Sequence, residues 1–435
     1  MELSRFLKTY PCPDKPGRVL VVATRRCAVL ELSGAKLAAA RDGRLDDPDR
    51  ATLTRLGVLT PNRDAERDDM RDTFTRVNRT CRHVAVLVTL TLECNLACGY
   101  CFEDPFRGRF SMSVETADLL VLRMTEQMAA GRNVTVDFYG GEPLLALSLL
   151  RRIAGNLAVA ARTYGVTFSF NIITNGTLLN RRIVQELLPL GLTAVRVTLD
   201  GPRDVHDRQR PFVSGQGSFD VVLAAIRETV ELVPLDLGGN YTRTNYHRFP
   251  ELLDCLIAEG ITPHRLKAVV FSPVMPKADG SMSGDCGAVC AGSDDPEMRE
   301  AGLFLRGEIL KRGFPAPRLR SHACMIEFDH DLVVGYDGTL HKCPLFMGDK
   351  ELSVGSLSEG VGDYCSSHNL EVWKTEECLD CAYLPLCFGG CRFLRKVRTG
   401  AIDGVDCRRD YFDATLERLI RQDLMSGMLT EREST

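Results

Sequence analysis

A chain of 435 residues with 44% hydrophobic and 26% charged residues has the balance of a globular protein of two or three domains. Its net charge of -4, without a long basic run, speaks against a nucleic-acid surface. No apolar run reads as long enough to span a bilayer, and the N-terminus, Met1 to Pro11, lacks the apolar centre of an export signal, so no membrane association and a cytoplasmic location are expected. In that setting 17 cysteines read as metal ligands and not as disulfides.

Residues 1–80 read as a small α+β domain. Gly17–Thr24 and Cys27–Leu32 have strand composition around the basic turn Arg25-Arg26, and short helical patterns follow at 33–41 and 47–56. The charged stretch 63–76 reads as a solvated helix or a linker. Strands followed by short helices resemble the winged-helix domain of peptide-modifying enzymes, where a leader peptide adds to a sheet edge. A plain cap on the next domain reads equally well.

From 81 to 290 strand and helix patterns alternate. Strands are expected at 84–91, 134–139, 167–174, 194–199, 234–239 and 267–272, with amphipathic helices between them such as 115–129, 144–161 and 178–190. Regular βα repetition implies a parallel sheet with right-handed crossovers, an α/β fold. Six units are too few for a closed eight-fold barrel.

Directly after the first strand stands Cys94-x3-Cys98-x2-Cys101. A loop at the C-terminal end of a parallel strand is where barrel enzymes place their chemistry. Structural zinc takes four ligands, commonly as paired Cys-x2-Cys hooks, and three thiols on one loop fit that badly. Iron–sulfur cubanes are held by cysteine thiolates, normally four, so three leave one iron open. The spacing, with Tyr100 before the last cysteine, resembles the radical S-adenosylmethionine (SAM) superfamily. The resemblance implies a partial (β/α)6 barrel and a [4Fe–4S] cluster on Cys94, Cys98 and Cys101 whose open iron is chelated by SAM. It also implies reductive release of a 5′-deoxyadenosyl radical that abstracts a hydrogen atom.

Three later strand ends extend the resemblance. Tyr139-Gly140-Gly141-Glu142-Pro143 combines two glycines that allow close backbone approach with a carboxylate able to receive an ammonium group. In the family this segment meets the SAM amino group. Thr174-Asn175-Gly176-Thr177 is a polar turn. The stretch Thr198-Leu199-Asp200-Gly201-Pro202, then His206-Asp207 and Arg210, is similar to a family motif with serine where Thr198 stands. By resemblance Thr198 and Arg210 contact the ribose and carboxylate of SAM, and Tyr100 and Asn175 join the binding set. A strand-end turn and a surface salt bridge are the structural alternatives for Thr198 and Arg210.

Residues 291–435 carry a second set of thiols: Cys324, Cys343, Cys378-x2-Cys381-x5-Cys387-x3-Cys391 and Cys407. Their order resembles the SPASM extension of peptide-modifying radical SAM enzymes, which houses two auxiliary [4Fe–4S] clusters; a zinc ribbon is the alternative. By resemblance Cys378, Cys381, Cys387 and Cys407 hold one cluster, and Cys324, Cys343 and Cys391 the other, for three clusters in all. Cys286, Cys290 and Cys365 are candidates for the missing fourth ligand of the latter, as is a site left open for substrate.

The resemblance implies maturation of a short ribosomal precursor peptide, with flavodoxin or ferredoxin as electron donor, and in Leu7–Gly17, Cys101–Gly108 and Gly238–Arg243 the chain looks most like geopeptide-type maturases. A thioether crosslink is the expected product. Carbon–carbon crosslinking, epimerisation and side-chain oxidation start the same way. Anaerobic sulfatase maturases place an aspartate after the cysteine equivalent to Cys343; this chain has Pro344 there, which lowers that reading. A non-catalytic iron–sulfur protein is the alternative from another class.

Overall fold

The computed structural model describes residues 1–277 and 295–427. Cys286 and Cys290, both fourth-ligand candidates, lie outside the described residues. By their internal contacts the residues group into two units. One comprises 80–317 and 329–368. The other comprises 1–79, 318–328 and 369 onward.

The first of these is built on six parallel strands: β1 His83–Thr89, β2 Asn133–Tyr139, β3 Phe168–Thr174, β4 Leu192–Thr198, β5 Leu235–Tyr241 and β6 Ala268–Pro273. They are neighbours in chain order, each paired parallel to the next. Each strand alternates. Val84, Val86 and Val88 of β1, and Val134, Val136 and Phe138 of β2, are buried. The residues between them carry polar ladders, such as Asn171 Nδ2 donating to Asp137 Oδ1 at 2.7 Å. Period-two patterning of this kind gives a sheet one apolar face, which helices must cover.

The Val114–Ala129 helix does so with Ala117, Leu120, Met124 and Met128, and starts at Ser113, whose hydroxyl accepts from Thr116 N. The Leu147–Tyr164 helix buries Leu150, Ile153, Ala154, Leu157 and Ala161 and stops at Gly165, which has φ +67°. The helical stretch Pro143–Tyr164, 22 residues with an 18-residue window of mean hydropathy 1.5, is long and apolar enough to cross a bilayer by length and composition, against the sequence expectation that no run is. Their apolarity has a local cause: the helix is a βα crossover whose buried stripe recurs at i, i+3, i+4 and i+7 and packs on β3.

The sheet stays open. Beyond β1 it continues with Leu332–Val334, parallel to β1, and then with the antiparallel strands Thr339–His341, Ser353–Ser356 and Gly360–Val361. The fold is α/β with a mostly parallel sheet, as expected.

The second unit draws on both ends of the chain. Leu7–Pro11, Arg18–Ala23 and Ala28–Ser33 form an antiparallel sheet. Its central strand is buried on both faces. Val21 and Ala23 pack on Ala40, Leu53 and Val58 from the following helices and loop. Leu20 and Val22 pack on Tyr383, Leu386, Phe412, Leu416 and Ile420. A further core joins Phe6, Met70 and Phe74 to Trp373, Leu379, Leu384 and Phe388. Residues 1–79 thus share their cores with 369–427, whereas 329–368 lengthen the barrel sheet. This grouping differs from a division at 80 and 290. The physical reason is that a three-stranded sheet with two apolar faces needs cover on both.

Candidate functional site at the barrel strand ends

The loop that follows β1 is pinned by its backbone. Ala97 N donates to Pro211 O at 2.8 Å, Leu92 N to Phe110 O at 2.9 Å, and Cys101 N to Cys98 O at 3.2 Å. The three thiols of this loop line one cavity of about 310 Å³ at the C-terminal ends of the strands. Burial raises the pKa of all three thiols, that of Cys101 to about 12. Cys98 is near enough to Cys94 and to Cys101 to add to the shift of each.

Glycines let the end of β2 run against this loop. A Cβ on Gly140 would meet Thr89 Cγ2 at 2.3 Å, and one on Gly141 would meet Glu93 O at 2.3 Å. Glu142 N then donates to Glu93 O at 2.9 Å. Glu142 is not among the residues that line the cavity. It is fully buried and accepts from Leu144 N at 3.0 Å, Thr174 Oγ1 at 2.7 Å and Asn175 N at 2.8 Å. Glu142 thereby ties two strand-end motifs together. Asn175 is placed by that bond, and its Nδ2 donates to Asn95 Oδ1 at 2.8 Å, beside Cys94 Sγ at 3.7 Å.

Also in the lining, Arg210 Nη1 donates to Tyr100 Oη at 2.5 Å and lies 3.9 Å from Asp200 Oδ2, to which Tyr100 Oη donates. Asn240 completes the network, with N donating to Asp200 Oδ1 at 2.7 Å and Nδ2 to Tyr100 Oη at 3.1 Å. Behind it His206 Nδ1 accepts from Asp200 N at 3.1 Å, and Nε2 meets Ser218 Oγ at 3.0 Å. Ser218 Oγ itself donates to Arg210 O at 2.6 Å, so it accepts from His206 Nε2–H. Burial pushes the imidazole pKa down to about 3, which keeps this tautomer neutral.

Tyr100, Gly140, Gly141, Asn175, Thr198 and Arg210, all named from sequence, line the cavity with the three cysteines; Glu142 stands behind it. Sequence reasoning passed over Glu103, Asp200 and Asn240. Glu103 lines the cavity and accepts from Gly141 N at 2.9 Å through Oε2; its Oε1 has no hydrogen-bond partner among the described residues. Burial raises its pKa to about 7. Arg210 Nε, also buried, likewise has none. Asp200 sat inside the Asp-Gly-Pro motif, and Glu103 and Asn240 sat inside Cys101–Gly108 and Gly238–Arg243, two segments that carry the geopeptide-type resemblance without naming a role for either residue.

The unit made of both chain ends holds Cys324, Cys378, Cys381, Cys387, Cys391 and Cys407. Cys378, Cys381, Cys387 and Cys407 come together, each of the first and third having two of the others as charged neighbours. Burial raises Cys387 to about 12. Cys324 and Cys391 are neighbours too, and Cys324 is raised to about 11, chiefly by burial. Cys343 belongs to the barrel unit, near Tyr139. Cys365, in the same unit, is exposed on a turn beside Asp363. Among the described residues no three His, Cys, Asp or Glu side chains close on a single point as the ligands of one ion do.

Residues 88–256 match the family model described as the Radical SAM superfamily. The chain carries a radical SAM domain. An Fe-coproporphyrin III synthase from Methanosarcina barkeri is 29% identical over 40% of this chain and 41% of its own length. A cysteine-type anaerobic sulfatase-maturating enzyme from Clostridium novyi is 24% identical over 75% of this chain and 93% of its own. A PqqA peptide cyclase from Granulibacter bethesdensis is 25% identical over 74% and 86%. Among solved structures, anSMEcpe with bound AdoMet shares the fold with TM-score 0.63 at 19% identity, covering 78% of this chain and 98% of that one. Streptococcus suis SuiB bound to precursor peptide SuiA does so with TM-score 0.54 at 14% identity, covering 93% and 98%.

A radical SAM domain implies a [4Fe–4S] cluster and SAM, and the cavity fits them. Its three half-buried thiols, all with raised pKa, need a compensating positive centre to ionise. Its walls also offer one unpartnered cationic N–H, on Arg210, and one unpartnered carboxylate oxygen, on Glu103. Those are complements for the carboxylate and ammonium of an amino-acid ligand.

Proposed function

We propose that this radical SAM enzyme modifies a ribosomally made precursor peptide by hydrogen-atom abstraction, with a thioether crosslink as its product. The observation that carries the reading is the single cavity shared by Cys94, Cys98, Cys101, the Gly140-Gly141 backbone, Asn175, Thr198 and Arg210. The likeness of most of the chain to a peptide cyclase and to a sulfatase-maturating enzyme supports a peptide or protein substrate.

Cys94, Cys98 and Cys101 would hold a [4Fe–4S] cluster with one iron open to SAM. Held there, the cluster and SAM would supply the radical chemistry for hydrogen-atom abstraction from the substrate. The residues of the chain bind and orient. Arg210, held by Tyr100 and Asp200, presents its Nε to a carboxylate. Glu103 presents Oε1 to an ammonium group, while Glu142 acts through Thr174 and Asn175. Thr198 offers a hydroxyl to the ribose. Leu92, Phe102 and Ile173 give the cavity apolar walls that exclude water.

In the same reading Cys378, Cys381, Cys387 and Cys407 would ligate one auxiliary cluster, and Cys324 and Cys391 would contribute to another. Residues 1–79 would bind the leader of the peptide, a low-potential flavodoxin or ferredoxin would supply electrons, and the enzyme would work in the cytoplasm.

The test is anaerobic reconstitution with iron and sulfide, then SAM, dithionite and candidate cysteine-bearing peptides. Release of 5′-deoxyadenosine with a peptide lighter by two hydrogens is the expected result. Formation of 5′-deoxyadenosine with formylglycine in a sulfatase peptide instead would favour the second reading, sulfatase maturation. That reading draws on the Clostridium novyi relative and is opposed by Pro344.

A further inference from the structure

Arg392 opens the helix Arg392–Thr399, directly after Cys391. Its side chain is 1% exposed. Nη2 donates to Glu327 Oε1 at 3.0 Å, but Nε and Nη1, both buried, have no hydrogen-bond partner among the described residues. Glu327 lies in the turn that follows Cys324, and its backbone N–H donates to Cys324 O at 3.1 Å. Its second oxygen accepts from Glu371 N at 3.2 Å. The ion pair therefore joins the two segments that carry Cys324 and Cys391, and those two thiols are the other charged neighbours of the guanidinium.

The backbone holds this arrangement tightly. Gly390 has φ +78°, and a Cβ there would meet Asp406 O at 2.0 Å, so the turn into Cys391 admits only glycine. Cys391 N donates to Asp406 Oδ2 at 3.0 Å, which fixes the thiol and the start of the helix together. A guanidinium taken out of water has lost the solvation of all five N–H groups. Glu327 repays that at one nitrogen. Nothing among the described residues repays it at Nε or Nη1, and besides Glu327 the charged groups that neighbour the guanidinium are the thiols of Cys324 and Cys391.

We propose that Arg392 donates hydrogen bonds from Nε and Nη1 to the sulfurs of an iron–sulfur cluster ligated by Cys324 and Cys391, and so sets its reduction potential. Arg392 is a positioning residue for that cluster and not a ligand. The inference rests on the reading that these two thiols ligate a cluster. Hydrogen bonds to sulfur and a nearby positive charge stabilise the reduced, more negative cluster, so they raise the potential. Glu327 opposes part of the charge and aims the fork.

The experiment uses the full chain with Cys94, Cys98 and Cys101 all changed to alanine, so that the SAM-site cluster does not overlap the signal. Iron is counted after anaerobic reconstitution, and the remaining clusters are titrated electrochemically with detection by electron paramagnetic resonance. Arg392→Gln is expected to retain iron and to lower one midpoint potential, leaving the other unmoved. Glu327→Gln is expected to raise the same midpoint, because it removes the opposing charge while the guanidinium stays. Opposite shifts in one cluster are what a merely structural ion pair would not give. Retained iron with both midpoints unchanged in both variants overturns the inference. If Arg392→Gln loses iron, Glu327→Gln decides alone: a raised midpoint supports the role and an unchanged one overturns it. Full iron after Cys324 and Cys391 are both changed to alanine would instead sink the underlying cluster reading.

Discussion

Cys94, Cys98 and Cys101 stand on one loop at the end of one strand, and the groups facing them come from the ends of neighbouring parallel strands. The thiols of the other unit are assembled differently. Cys324 and Cys391 are joined by the Glu327–Arg392 pair, and Cys387 packs in a core shared with Leu20 and Val22 from the first strands of the chain. The barrel site depends on local turns and on the register of the sheet. The second group depends on a core made from both chain ends. A change in one should leave the other intact, and the predictions test that separation.

The largest effect is expected from replacing Cys94, Cys98 and Cys101 together by alanine. About four irons, one cubane, should go. All 5′-deoxyadenosine formation should be lost, and the iron of the other unit should remain. Residual cleavage of SAM in an iron and product assay would break the assignment.

Next comes deletion of residues 1–79. It strips Phe6, Phe74, Leu20 and Val22 from cores they share with Trp373, Phe388 and Leu416. Iron bound by the chain-end unit should fall while SAM cleavage by the barrel persists. A milder version is Leu416→Ala, fully buried, which should cost ~2–5 kcal/mol in chemical denaturation of that unit. Normal iron content in the truncated protein would show that the shared core is dispensable.

Asp200→Asn removes the carboxylate that Tyr100 and Asn240 bond and that lies by Arg210. A hydrogen bond to a charged group contributes ~1.5–3 kcal/mol, which corresponds to a loss of about one to two decades in SAM affinity. Isothermal titration of reconstituted protein measures it. Glu142→Gln should weaken SAM binding less than this, because its carboxylate is saturated by Leu144, Thr174 and Asn175. A larger loss for Glu142→Gln would put that side chain in direct contact with the ligand.

The smallest effect concerns His206. Its folded pKa of about 3 lies below the ordinary value of 6.5. The unfolded chain takes up a proton first as pH falls, so the stability His206 contributes is present above 6.5 and is lost progressively toward 3. His206→Gln should flatten the decline of melting temperature over that window. An unchanged slope would mean that the imidazole titrates normally.

All six barrel strands fall within a few residues of their expected places, because alternation and β-branched content are local properties that the parallel sheet reads directly. The cysteine loop was legible for the same reason: three ligands on one turn are close in space whatever the rest of the chain does. Glu142 shows the limit. Its motif names the residue, but the direction of its carboxylate follows from Thr174 and Asn175 on another strand.

The sequence by itself determined the parallel αβ framework, the thiol loop and the glycines that bring β2 against it, since each depends on neighbours in the chain. Only the tertiary structure decided that Asp200 and Asn240 belong to the same network as Arg210, and that Glu103 lines the same cavity, because these groups meet only once the register of the sheet is set. It also decided that residues 1–79 fold with the C-terminal segment. Apolar faces seek the cover that satisfies them, and the partner that fits Leu20 and Val22 lies at the far end of the chain.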